Sequence, residues 1–200
     1  MNRPAILIDI GGVLVPDHPS TAATEWSTRL GISPPAFLAA LYGGNDDQVL
    51  IGRTSEESWW SIVGNRLGID RDLIATIRSD LTARQTWDDT LVAGLRGLRG
   101  CAKTAIVSNT WPHMRTTMAN AGLLDMVDAI VLSCEVGFAK PDPRIYTTAL
   151  QRVSARPADT LFIDDTPGHV ATARSLGMTG HVHTNTRDTL TRIQEFLPSS

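Results

Sequence analysis

Short apolar runs set the rhythm of this chain. "AILID" (5–9), "KTAIVSN" (103–109), "AIVLS" (129–133), "TLFIDD" (160–165) and "GHVHT" (180–184) are each a few residues long and end on polar positions. Runs of that length without strict apolar–polar alternation predict strands buried on both faces, as in a parallel sheet. Helical spacing appears between the later runs. Leu91, Leu95 and Leu98 form one stripe, and Met114 and Met118 lead to Gly122, a stop signal. Asp142 can cap a helix that Pro143 opens in "PRIYTTALQRV". Strand alternating with helix predicts an α/β fold, a doubly wound parallel sheet of Rossmann-like type.

Residues 16–85 break this rhythm, because the stretch contains no strand pattern. Ser33 before a Pro-Pro pair reads as a helix start. Thr54 with Glu57 fits a capping box ahead of Trp59, Trp60, Ile62, Val63 and Leu67. "GIDRDLIATIRSDL" (68–81) supplies a further amphipathic helix. The expected organisation is an α/β core from residues 1–15 and 86–200, with an all-helical insertion of about four helices, residues 16–85, entering directly after the first strand.

Bulk properties narrow the function classes. A length of 200 residues buries a core without disulfides. The formal net charge of −3 offers no electrostatic footprint for nucleic acid or an anionic membrane. Cys101 and Cys134 lie far apart without a Cys-x-x-Cys spacing, so both are expected to be core thiols in a reducing, cytoplasmic setting. The apolar run after Arg3 is interrupted by Asp9, which argues against a signal peptide, and no segment approaches membrane-spanning length.

In open parallel sheets, ligands sit beyond the carboxyl ends of the strands. The residues falling there are Asp9, Ser108 with Asn109, Ser133, and Asp164 with Asp165, and Lys140 follows the third run. Converging carboxylates repel one another unless a cation is shared between them. Mg²⁺ suits such a site, since it takes oxygen ligands from one or two carboxylates plus water and substrate phosphate. A lysine and a serine hydroxyl would then hold the remaining phosphoryl oxygens.

Four stretches together, "DIGGVL" (9–14), "IVSN" (106–109), "AKPDP" (139–143) and "LFIDD" (161–165), resemble in order and spacing the signature motifs of the haloacid dehalogenase (HAD) superfamily. The helical insertion resembles its C1 cap, and "TARSLGM" (172–178) resembles a tail segment of the same group. The resemblance implies a phosphohydrolase acting on a small soluble phosphomonoester, sugar phosphates included, through an aspartyl-phosphate intermediate. Asp9 would be the nucleophile. Asp9, the Gly11 carbonyl, Asp164 and Asp165 would hold Mg²⁺, with Asp165 a direct or water-mediated ligand or an orienter of Lys140. Ser108 and the Asn109 backbone would bind a phosphoryl oxygen, and Lys140 would offset charge. The chain would work as a monomer or homodimer, with a phosphorylated small molecule as partner and neither nucleic acid nor membrane.

Two positions depart from that pattern. Phosphatases of the group carry a second Asp two residues after the nucleophile, as general acid on the leaving alcohol; here Gly11 stands there. General acid–base help is worth about 10²- to 10⁴-fold. Its loss disfavours a phosphomutase and favours leaving groups that depart unprotonated, such as those of anomeric sugar, acyl and aryl phosphates. His18, beside Asp17, is a substitute acid if it is not simply a solvated linker residue. The second departure is His169 where relatives often have Asn; it could orient Asp165 or a water, or be structural. His113 has the same open status, while His181 and His183 are expected to be structural. Arg53 is a candidate substrate contact from the insertion, with a plain surface role as the alternative. Trp26, Trp59 and Trp60 are expected to fill the helical core, unless one of the adjacent pair faces the cleft. Two other classes compete with the phosphohydrolase: a metal-independent 2-haloacid dehalogenase, which also needs no acid, and a non-catalytic binder of phosphorylated ligands.

Overall fold

The computed structural model describes residues 3–16, 19–42 and 46–198. A five-stranded, all-parallel sheet forms the centre, built from β1 (Ala5–Ile8), β2 (Lys103–Ser108), β3 (Ala129–Leu132), β4 (Thr160–Asp164) and β5 (Thr179–Val182) in the order β3-β2-β1-β4-β5. Strand β1 lies in the middle, with Ile8 paired to Ile106 on one side and Ile163 on the other. Its apolar run is continuous because each face of the pleat meets a core. Ile6 and Ile8 join one cluster with Ile106, Leu161 and Ile163, while Ala5 and Leu7 join another with Val107 and Phe162.

Among the described residues, the insertion after β1 forms five helices: α1 (Pro19–Leu30), α2 (Pro34–Tyr42), α3 (Asp46–Leu50), α4 (Glu56–Leu67) and α5 (Arg71–Ala83). The count exceeds the four expected from sequence, since five-residue α3 is too short to show a period. The chain then supplies α6 (Asp89–Gly97), α7 (Met114–Asn120), α8 (Ser133–Val136), α9 (Pro143–Val153), α10 (Pro167–Ser175) and α11 (Thr186–Phe196). Helices α6, α7 and α11 cover one sheet face through Leu91, Met118 and Ile193, and α9 and α10 cover the other through Tyr146 and Val170. The sheet is therefore doubly wound.

Local chemistry explains the helix starts. Ser33 Oγ accepts from the Ala36 amide, Asp70 from Leu73 at 2.9 Å, and Asp142 from Arg144 at 2.9 Å with Pro143 in the first turn. The capping box expected at Thr54 is displaced by one residue. Ser55 is the cap and accepts from Ser58 N–H at 3.1 Å, because the Thr54 amide is already drawn back to the Gln48 carbonyl.

Helices α1 to α5 enclose a third apolar cluster around Trp26, Phe37, Leu41, Trp59, Trp60 and Ile77. The chain leaves the sheet through a tight turn in which Val15 N–H returns to the Ile10 carbonyl at 2.8 Å, and it comes back where Asp88 N–H reaches the Leu14 carbonyl at 2.8 Å. Exit and return are thus clamped side by side. The insertion also touches the core at Gly52, whose φ of 72° and approach to the Cys134 carbonyl leave no room for a Cβ. Cys134 is half-buried as part of that contact, whereas Cys101 is exposed after α6, contrary to the core position expected for it. No described helix is long and apolar enough to cross a membrane.

Candidate active site

Every strand end that borders the middle of the sheet contributes to one cluster. Asp9 directly follows β1, Ser108 ends β2 and Asp164 ends β4. Lys140, on the loop between α8 and α9, has a fully buried side chain and joins them. Its Nζ donates to Asp9 Oδ2 at 2.8 Å and to Asp164 Oδ2 at 2.5 Å. The lysine backbone is held as firmly: Asn109 Oδ1 accepts from Lys140 N–H at 2.6 Å, and Asn109 Nδ2 donates to the Lys140 carbonyl at 2.8 Å. The Asn109 side chain is therefore engaged in placing Lys140 rather than free to face a ligand.

The two carboxylates that share the ammonium differ in charge environment. Burial pushes the Asp9 carboxyl above the ordinary aspartate range; Lys140 opposes this, and the Asp164 charge adds to it. Burial acts in the same sense on Asp164, but the His169 ring, Lys140 and the Thr166 amide overcome it and hold its pKa at about 2. His169 Nδ1 lies 3.1 Å and 3.2 Å from the two Asp164 oxygens, and Thr166 N–H donates to Asp164 Oδ1 at 2.8 Å. Of the roles left open for His169, orienting Asp165 is not the one seen: it braces Asp164, because the first turn of α10 folds back over the end of β4.

Asp165 is exposed, and its Oδ2 sits where a Cβ on Gly12 would lie. Gly12 has φ of 68°, so both the backbone and the close carboxylate require glycine there. Carboxylate oxygens of Asp9, Asp164 and Asp165 fall within 4.8 Å of one another. Three carboxylates against the single Lys140 ammonium leave excess negative charge, so the donor set fits a hard divalent cation. Gly11 lies at the same edge with its own Cβ direction open: nothing stands within 4 Å.

Ser133, expected among the strand-end groups, is turned away from this role. Its buried hydroxyl accepts from Thr110 N–H at 2.9 Å and so supports the loop that carries Ser108 and Asn109.

A cleft of about 750 Å³ opens from the cluster between the sheet edge and the helical insertion. Gly11, Gly12, Ser108, Asn109, Asp165 and Thr166 line its inner end, and Tyr42, Leu50, Gln85 and Trp111 line it from the insertion and its junctions. Trp111 stacks on Tyr42 with centroids 6.1 Å apart and an 18° interplanar angle, and its centroid is 4.1 Å from that of Trp59. Trp59 and Trp60 are both buried and neither lines this cleft; the aromatic wall comes from "SNTW" instead. Arg53 is exposed and lies outside the described lining. His18 and Asp17 fall outside the described residues. Trp26 is a structural residue of the insertion, its indole N–H bonded to Asp80 at 2.7 Å.

His113 also lines the cleft and ties it to the insertion. Buried Glu56 of α4 accepts from His113 Nδ1 at 3.0 Å, His113 N–H at 3.2 Å, Arg78 at 3.0 Å and Trp60 Nε1 at 3.3 Å. Sequence patterning missed Glu56, Gln85 and Trp111. None belongs to a motif, and only the position of Trp111 just past a strand end signalled its place. His181 and His183 meet on the buried Thr189 hydroxyl at 3.0 Å and 2.8 Å, and neither lines the cleft.

Residues 4–177 match the haloacid dehalogenase-like hydrolase family. The chain belongs to this family. Among curated relatives it is 28% identical over 185 residues to mouse acyl-CoA dehydrogenase family member 10, covering 87% of this chain but only 17% of that protein. It is 24% identical to the sesquiterpene phosphatase astK of Aspergillus oryzae, covering 88% and 87% of the two chains. It is equally 24% identical to the D-ribitol-5-phosphate phosphatase of Bacteroides thetaiotaomicron, covering 86% and 87%. Among solved structures, a HAD family enzyme from Bacteroides thetaiotaomicron superposes with a TM-score of 0.79 at 20% identity over 96% of this chain and 99% of that one. The same enzyme in complex with magnesium and inorganic phosphate gives 0.72 at 19% identity, covering 92% and 95%. The L-2-haloacid dehalogenase of Xanthobacter autotrophicus gives 0.66 at 25% identity, covering 96% and 82%. HAD membership accounts for the sheet order and the hydrolase assignment.

Proposed function

We propose that this HAD hydrolase is a Mg²⁺-dependent phosphohydrolase of small phosphomonoesters that works through an aspartyl-phosphate. The observation that carries the reading is the Asp9–Lys140–Asp164 chain with Asp165 beside it. Lys140 offsets part of the cost of burying the Asp9 carboxylate and fixes its Oδ2, while Ile10 N–H holds Oδ1 at 2.7 Å. Asp9 attacks phosphorus, the bond to the leaving oxygen breaks, and water later attacks the acyl phosphate to release inorganic phosphate. Ser108 and the Asn109 backbone bind phosphoryl oxygens. Mg²⁺ held by Asp9, the Gly11 carbonyl, Asp164 and Asp165 would neutralise charge developing on the phosphoryl group. Within this reading residues 16–85 act as the cap that screens water from the cleft, and the enzyme is a cytoplasmic monomer or homodimer.

The dehalogenase alternative shares Gly11's lack of a proton donor, and a dehalogenase of 25% identity has the same fold. The Asp164–Asp165 pair speaks against it, since a metal-free reaction leaves the carboxylates of Asp9, Asp164 and Asp165 facing the single Lys140 ammonium. The test is aryl phosphate turnover. It should require Mg²⁺, stop with EDTA, and fall roughly 10⁴-fold or more in Asp9→Asn. Metal-independent release of halide from a 2-haloacid would overturn the reading.

A further inference from the structure

Two polar atoms buried in the cleft residues have no hydrogen-bond partner among the described residues: Gln85 Oε1 and Trp111 Nε1. Buried polar groups are nearly always paired, so an unmatched acceptor and an unmatched donor on one cleft mark where a ligand completes the structure. A hydroxyl is the simple neutral group that can donate to the glutamine oxygen and accept from the indole N–H. The surrounding wall is mostly apolar, with Val15, Tyr42, Leu50, Met114 and the face of the Trp111 ring beside Thr110 and His113. No Lys or Arg is among the described lining residues, so a second anionic group on the substrate would meet no cation. His113 already gives its Nδ1 to Glu56.

We propose, building on the phosphohydrolase reading, that the enzyme selects aryl phosphates whose uncharged ring carries a further hydroxyl, with Gln85 and Trp111 as the residues that read that hydroxyl. The ring stacks in the aromatic wall and the hydroxyl meets the two unpaired atoms. The same substrate class answers the absence of an acid at Gly11. Asp9 forms the bond to phosphorus, the bond from phosphorus to the ring oxygen breaks, and the aryloxide departs with the electron pair and takes its proton from water.

The experiment compares kcat/KM with Mg²⁺ for 3- and 4-hydroxyphenyl phosphate, phenyl phosphate and ribitol 5-phosphate in the wild type, Gln85→Leu and Trp111→Phe. The better hydroxyphenyl ester should exceed phenyl phosphate by roughly 10-fold, with the polyol ester slowest, and each variant should bring the hydroxyphenyl-to-phenyl ratio down towards one. Being a ratio on one enzyme sample, it is insensitive to a loss of folded protein. A polyol preference, or a ratio unchanged in both variants, overturns the substrate assignment and leaves the phosphohydrolase standing. No turnover of any phosphomonoester overturns both.

Discussion

The two ends of the cleft are built on opposite principles. At the sheet edge the polar atoms are bound to each other: Asp9 to Ile10 N–H and Lys140, Asp164 to Lys140, His169 and Thr166, and Asn109 to the Lys140 backbone. At the outer end Trp111 and Gln85 carry a buried donor and acceptor with no partner among the described residues, within an aromatic and aliphatic wall. The first arrangement suits a group that is the same in every turnover, because preorganised charges need no rearrangement when it reacts. The second suits a group that supplies its own complement. On the proposed reading the chemistry is set at the sheet edge and the choice of substrate at the wall that Gln85 of the insertion and Trp111 of the loop after β2 share.

The sharpest way to break this division is to restore a proton donor at the chemical end. Gly11 can take a side chain, since its backbone is not left-handed and a Cβ there would meet nothing within 4 Å. Gly11→Asp should raise kcat/KM for alkyl phosphates, whose leaving oxygens need protonation, by about 10²-fold while changing aryl esters far less. A plot of rate against leaving-group pKa should be steep in the wild type and flatter in the variant. A flat wild-type plot would show that another group already donates the proton, and His113 on the cleft wall would be the next residue to replace.

The joint between the two ends rests on Glu56. Burial works against its ionisation, yet the hydrogen bond and charge of His113, with Arg78 and Trp60, hold its pKa below the ordinary glutamate value. Removing one partner of a buried, hydrogen-bonded charge set is costly, so Glu56→Ala should lower stability by about 3 kcal/mol in urea unfolding. It should also raise KM more than it lowers kcat, since the cap-side wall shifts while the Asp9–Lys140–Asp164 chain stays intact. An equal fall in kcat with KM unchanged would show that His113 serves the chemical end instead.

How much of this was legible in the sequence follows the same division. The strands could be read because burial on both faces gives unbroken apolar runs, and Asp9, Ser108, Lys140 and Asp164 lie at or next to strand or loop positions that topology forces together. The insertion was legible as helical but not in its contacts. Glu56 reads as one more acidic residue in the first turn of a helix, and its burial follows only from the approach of His113 and Arg78 in space. Likewise Trp59 and Trp60 drew attention as a pair, yet the α4 stripe that buries both leaves the cleft to Trp111, whose neighbours in sequence carry no period. The role of His169 stayed open in the sequence, and its contact with Asp164 follows from a turn at Thr166 set by a side-chain hydrogen bond that sequence spacing does not reveal.

The smallest expected effect comes from a histidine pair that does not line the cleft, and it serves as a control. His181 and His183 share the buried Thr189 hydroxyl, and each is held below the usual histidine pKa of 6.5, His181 by burial and by His183, His183 by burial. A histidine whose folded pKa is depressed binds fewer protons folded than unfolded, so its stabilisation is present above about 6.5 and is lost as pH falls below that value. Protonation also turns both rings into donors towards one hydroxyl that can no longer donate to either. The melting temperature should therefore decline as pH drops below that window, and the double variant His181→Gln, His183→Gln should flatten the decline. Neither histidine lines the cleft, so the hydroxyphenyl-to-phenyl ratio measured above pH 6.5 should not move in the double variant. If it did, the β5 edge and the outer end of the cleft would be coupled, and substrate choice could no longer be assigned to that wall alone.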